Sequence, residues 1–163
     1  MRIEHAAASD VAAVALNMRH RDYLEFSAVS PCNSRSELAD LLTARFGDRP
    51  GDVLAVFDGE RPVAIGGLIE SRPNVITLLF FATDNFPAVA LPLTRFIKRE
   101  LFPRYIAAGV HRFEAVSMHR HEEAHRWLKI LGLKMEAALF GYGRDRETFV
   151  QFAWTDDACP AGA

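Results

Sequence analysis

Residues 121–142 read HEEAHRWLKILGLKMEAALFGY, and the first five match H-E-x-x-H, the pattern of helical zinc sites. His121 and His125 stand four residues apart and would share one helix face, as two metal ligands must. The follow-on positions where the best-defined zinc class keeps a glycine and a third histidine are Leu128 and Leu131. Ala124, Trp127, Leu128 and Leu131 instead form an apolar stripe at helical spacing. On that wheel His121 sits at the edge of the stripe and His125 farther towards solvent. Gly132 supplies a helix stop, and "LKMEAALFGY" and "RETFVQFAW" form a final hairpin across "GRDR". The stretch therefore reads as a core-facing helix feeding a strand. A zinc hydrolase is the weaker alternative, and no metal ligands are assigned.

Working towards the N-terminus, "HRFEAVSM" is a strand, and before it "AVALPLTRFIKRELF" is a helix with Pro92 and Pro103 disturbing its regularity. Asp84 or Asn85 can cap that helix, and Pro87 fits its first turn. "VITLLFFAT" is a near-continuous apolar run, the mark of a central strand covered on both faces. "DVLAVFD" and "RPVAIGGLIES" flank the hairpin signal "DGER". Upstream, "SRSELADLLTARFG" reads as a helix capped at Ser36 and stopped at Gly47. "VAAVALNMRHRDYLEF" reads as one helix entered at Ser9 or Asp10, and "MRIEHA" as a first strand. The expected order is β-αα-βββ-α-β-α-ββ, an α/β chain with a central twisted mixed sheet flanked by helices. The helix between "VITLLFFAT" and "RFEAVSM" makes a crossover, so those strands should run parallel and splay apart.

With 163 residues, half of them hydrophobic, the chain suits one domain over 1–155 and a flexible tail over 156–163. A net charge of -2 offers no general attraction to nucleic acid or acidic membranes. No window approaches a membrane span. Two cysteines, Cys32 and Cys159, are no disulfide framework and suit a reducing cytoplasm. The Arg/His clusters "NMRHRDY" and "MHRHEEAHR" read as solvated helix faces and ends.

The element order resembles the GNAT superfamily of acyl-CoA-dependent N-acetyltransferases. So do the entry "R-x-x-x-A-x-x-SD", the strand "PVAIGGLI", and Ala124 with Leu131-Gly132-Leu133 in the closing motif. Within it, "AIGG", Phe81 to Asn85 and "RWLKILGL" look most like small acetyltransferase-like proteins of tailed bacteriophages. The resemblance implies acetyl transfer from acetyl-CoA to a small-molecule or protein amine, in the cytoplasm. A phage-encoded protein would work in the host cytoplasm or in the virion. The alternative it implies is a catalytically inactive phage protein acting on a host partner.

Departures from the family pattern bear on the site. The family cradles the CoA pyrophosphate on a glycine-rich loop, where bare N–H groups meet phosphate without a Cβ in the way. This chain has "DNFPAVALPLTRF" there, with no glycine and no basic residue before Arg95. Leu128 stands where many members place a tyrosine acid, and His121 where an asparagine often faces the cofactor. The resemblance then implies pantetheine along Phe81, Ala82 and Thr83, and pyrophosphate near Ala88, Val89 and Ala90. His121 could relay a proton, and Glu70 is the nearest carboxylate by sequence to act as a base. Acetyl-CoA binding is expected to be weak or absent.

Overall fold

Where β-branched and aromatic runs are broken by tight turns, the chain pairs them into a sheet that two layers of helices cover. The computed structural model describes residues 1–49 and 53–156; the tail residues 157–163, Cys159 among them, lie outside these. The described strands are β1 Arg2–His5, β2 Val53–Asp58, β3 Arg61–Arg72, β4 Val75–Ala82, β5 Arg112–Met118, β6 Lys134–Leu139 and β7 Phe149–Thr155. They lie side by side as β1-β2-β3-β4-β5-β7-β6. β4 and β5 are parallel, as the crossover requires, and the other neighbours are antiparallel.

Helices α1 Ala8–Leu16 and α3 Arg35–Phe46 cover one face, over a core that includes Val11, Val14, Leu38, Ile65 and Phe81. Helices α4 Pro87–Phe96, α5 Phe102–Ala107 and α6 Glu122–Leu131 contribute to the core of the other, with Val89, Leu93, Phe113, Leu128 and Phe152. No helix among the described residues is long and apolar enough to cross a membrane.

Several boundaries differ from the sequence expectation, each for a tertiary reason. The first helical run breaks at Asn17–Arg19, and α2 His20–Ala28 starts afresh. Asn17 Nδ2 donates to the Ala13 carbonyl, while Met18 bridges to Thr83 at the end of β4. Contact with the sheet thus overrides a helical pattern that is locally continuous. The caps fall at Ala7 and Ser34 rather than at Ser9 or Asp10 and Ser36; Ser34 Oγ accepts the Glu37 N–H. Gly47 has φ -70°, so its reason is not a left-handed stop. A Cβ there would come within 2.8 Å of Ala8 Cα. At Gly132, φ is 102°, the left-handed helix end expected of that residue.

Neither Asp84 nor Asn85 caps α4; its N-cap is Phe86, with no side-chain cap bond. The regular helix ends at Phe96 and passes through a π turn, Ile97–Leu101, into α5. Pro103 follows directly and has no N–H to continue an α ladder, and the wider π turn accommodates it.

Candidate functional site

β4 and β5 pair only from Val75↔Arg112 to Thr77↔Glu114. At that end Glu114 accepts from Arg72 (2.9 Å) on β3, Thr77 (3.4 Å) on β4 and Arg112 (2.8 Å) on β5, tying three strands together. Beyond it the strands part, β4 remaining with β3 to Ala82 and β5 with β7 to Met118. A splay inside a sheet leaves backbone donors and acceptors to satisfy.

Helix α2 meets that demand with two carboxylates one turn apart. Asp22 Oδ2 accepts the Ala82 N–H at 2.8 Å, and Glu25 Oε2 accepts the Met118 N–H at 2.7 Å. One helix therefore bridges both strand ends. Arg19 holds Asp22 through Nε and Nη2 at 2.9–3.1 Å, and the Arg19 N–H donates to the Ala82 carbonyl at 2.8 Å. Arg21 Nη1 reaches the Arg120 carbonyl, and the Arg144 N–H caps the Ala28 carbonyl at the other end of α2.

Two members of the Arg/His clusters, Arg19 and His121, meet here in a largely buried network, while His20, Arg21, His119, Arg120 and Arg126 stay exposed as expected of solvated faces and ends. Asp22 is 2% and His121 5% exposed. His121 is the N-cap residue of α6. Its Nδ1 lies 3.0 Å from Glu25 Oε2, and its Nε2 lies 3.5 Å from Asp22 Oδ1 without a hydrogen bond. With Glu25 as acceptor, Nδ1 is the ring nitrogen that donates. Burial pushes the Asp22 carboxyl up, against the opposing pull of Arg19 and the Ala82 N–H.

Ser117 Oγ also donates to Glu25 Oε2, at 2.8 Å, so one oxygen receives three donors. Among the described residues the other oxygen, Oε1, has no hydrogen-bond partner. Glu25 lines a cavity of about 290 Å³ that occupies the splay. The same cavity touches Thr77 to Phe80 on β4, Ala115 to Ser117 on β5, and Trp127 and Leu128 on α6. Strand alternation turns the backbone of Leu78 and Phe80 the way Ala82 faces, into the gap.

The structure brings some expected residues together and separates others. His121 and Ala82 meet in the α2 network. Phe81 pairs with Ile65 on β3, the Thr83 N–H goes to the Val63 carbonyl, and Ala82 is filled by α2. The backbone edge expected to receive pantetheine at Phe81 to Thr83 is thus already used within the chain. The opening lies two to four residues upstream, at Leu78 and Phe80. Glu70 is remote from the splay: its Oε1 accepts the Asn74 N–H at the β3–β4 turn.

Near the start of α4, Ala88 and Val89 donate to the Asn85 and Phe86 carbonyls, and Pro87 has no N–H. Val89 is 1% exposed. Those two amides, with Ala90 beyond them, make no free anion cradle. Phe80, Phe86 and Trp127 pack ring to ring beside it, with centroids 4.5–5.7 Å apart, and Trp127 Nε1 donates to Thr94 Oγ1.

His125 points elsewhere than expected. It is half-buried against Phe152, and its Nε2–H donates to the Met118 carbonyl at 3.0 Å. Burial holds its imidazole below the usual value, partly offset by that hydrogen bond. A lowered folded value favours the neutral ring in the native state. The resulting stability is present above the unfolded value of about 6.5 and lost as pH falls through the folded one. Wild type should therefore lose stability against His125→Gln as pH drops below about 6.5, measured by urea melts at several pH values. A pH-independent difference between the two would refute it.

No family model matches the chain, and no curated protein matches it by sequence. Solved structures do match over nearly the whole length. A ribosomal-protein-alanine N-acetyltransferase from Brucella melitensis superposes with TM-score 0.68 at 16% identity, covering 96% of this chain and 100% of that one. An acetyltransferase from Salmonella typhimurium, solved with acetyl-CoA, gives 0.67 at 15% identity, covering 99% and 98%. A spermidine N-acetyltransferase variant from Vibrio cholerae gives 0.65 at 15%, covering 95% of each. The fold is that of the GNAT acetyltransferases. Its mixed sheet, parted between two parallel strands, carries the cavity and the Glu25 network of this chain.

Sequence reasoning missed Asp22, Glu25, Arg19 and Ser117. The available signal was "RHRDYLEF", where Arg19, Asp22 and Glu25 recur every three residues on one helix stripe. What pairs with that stripe lies 60 to 96 residues away.

Proposed function

We propose that the protein is an N-acyltransferase that moves an acyl group from a CoA thioester to an amine, with Glu25 as the base. The observation that carries this reading is the cavity in the splay. It is lined both by Glu25, whose Oε1 has no hydrogen-bond partner among the described residues, and by the stretch of β4 at Leu78 and Phe80 that β5 leaves unpaired. Glu25 Oε1 accepts a proton from the acceptor ammonium, and the freed lone pair attacks the thioester carbonyl. The C–N bond forms, the nitrogen gives its second proton to solvent, the C–S bond breaks, and the thiolate leaves to be protonated from solvent. An N–H of the strand edge, with Phe80 best placed, stabilises the developing oxyanion. His121 acts through Glu25, holding the carboxylate by Nδ1, and is a positioning residue. Glu70 has no part in the step.

The fit to CoA is uneven. The apolar splay suits a thioester arm, whereas the α4 start lacks free amides and Arg19 is committed to Asp22. Acetyl-CoA should bind in the high-micromolar range, about -5 kcal/mol. The occupied anion station favours a second reading, a catalytically silent binding protein like the phage proteins that the sequence resembles. Thiol release from acyl-CoA, with a polyamine and an alanine-terminated peptide as acceptors, separates the two. Amine-dependent release is expected. No release and no thermal stabilisation at millimolar acyl-CoA would leave the binding protein.

A further inference from the structure

We infer that the preferred donor carries a medium-length apolar acyl chain, seated in the arm of the cavity that runs beneath α4. This inference rests on the N-acyltransferase reading above and names its donor class. An apolar cavity of about 150 Å³ is enough to take up benzene. The whole space is about 290 Å³, room for roughly a dozen carbon-sized atoms, so what lies beyond a thioester held in the splay still exceeds an acetyl group.

The arm continues past the splay, between the sheet and α4. Leu54, Val56 and Leu68 form its sheet side, and Leu93, Phe96 and Ile97 its helix side. The most exposed lining residues, Val29 and Tyr142, are 51% and 50% exposed and mark the mouth at the other end, next to Glu25. A reactive carbonyl held near Glu25 would therefore send its chain inwards. The polar groups stop at the splay, so the inner arm offers no partner to an amine or a phosphate.

Gly66 opens that inner wall. Gly66 does not have a positive φ, and a Cβ added there would meet nothing nearer than the Phe80 ring at 3.8 Å. A larger residue is accommodated by the backbone and would project into vacant space. The same donor class answers the filled anion station, because a buried chain replaces the grip on phosphate. Each buried methylene tightens binding about fourfold.

Calorimetry with acetyl-, butyryl-, hexanoyl-, octanoyl- and decanoyl-CoA tests this, with thiol release recorded in parallel. Octanoyl-CoA should bind at least about a hundredfold tighter than acetyl-CoA. Gly66→Leu should flatten the dependence on chain length, and Gly66→Ala should reduce it should the leucine variant fail to fold, as judged by circular dichroism. Equal affinity and turnover for acetyl and octanoyl donors would overturn the inference while leaving the N-acyltransferase reading intact. Chain-length dependence that survives in a folded Gly66→Leu protein would overturn it too, since the chain would then lie elsewhere. No binding and no turnover at any length would overturn both.

Discussion

Glu25→Gln should lower kcat by about 10²–10³-fold while leaving the fold in place. Glutamine keeps a carbonyl oxygen for the Met118 N–H and the Ser117 hydroxyl, so the bridge to β5 survives. What it cannot do is take a proton. An alkylammonium with a pKa near 10 is almost wholly protonated at neutral pH, so the base matters most there. The loss should accordingly shrink as the assay pH approaches the pKa of the amine, where free amine becomes abundant. KM for the acyl donor should change little, because Oε1 meets the acceptor side of the reaction. A Glu25→Gln enzyme within a few-fold of wild type at pH 7 would remove Glu25 as the base.

The sheet was legible because its signals are local. Alternation and the "DGER" turn place β2 and β3, the apolar run places β4, and a helix between β4 and β5 dictates their parallel order. The αL glycine at Gly132 was equally readable. The α1–α2 break was not, since Val11 to Phe26 carry a continuous helical pattern. It is Met18 docking on Thr83 that interrupts it. The π turn could be sensed from Pro103 only as an irregularity.

The site divides along the same line. His121 stood out from its neighbours and is part of the network, but the carboxylate it serves is Glu25 rather than Glu70. A helix bearing "RHRDYLEF" looks solvated until the strand ends it closes are known, and those ends come from β4 and β5, 60 and more residues downstream. The backbone at Ala82 illustrates the limit: its identity as strand is readable, its occupation by Asp22 is not.

That occupation sets the largest stability effect. Asp22→Ala should cost about 3 kcal/mol, the low end for breaking a buried ion pair, since Arg19 retains some contact with water. It strips the acceptor from the Ala82 N–H and leaves Arg19 without its carboxylate. For a domain of this size the melting temperature should fall by roughly 6–12 °C. Asp22→Asn separates shape from charge, because the amide keeps an acceptor oxygen. Burial raises the Asp22 carboxyl above its usual value, so the native state holds this proton more tightly than the unfolded chain does. That contribution is full below the unfolded value of about 3.9 and is lost as pH rises through the folded value. The advantage of wild type over Asp22→Asn should therefore be greatest in acid and shrink towards neutral pH. Urea denaturation at pH 4 and pH 7 reads the difference directly. An advantage that grows with pH would mean that pairing with Arg19 outweighs burial, and that α2 is held to β4 chiefly by charge.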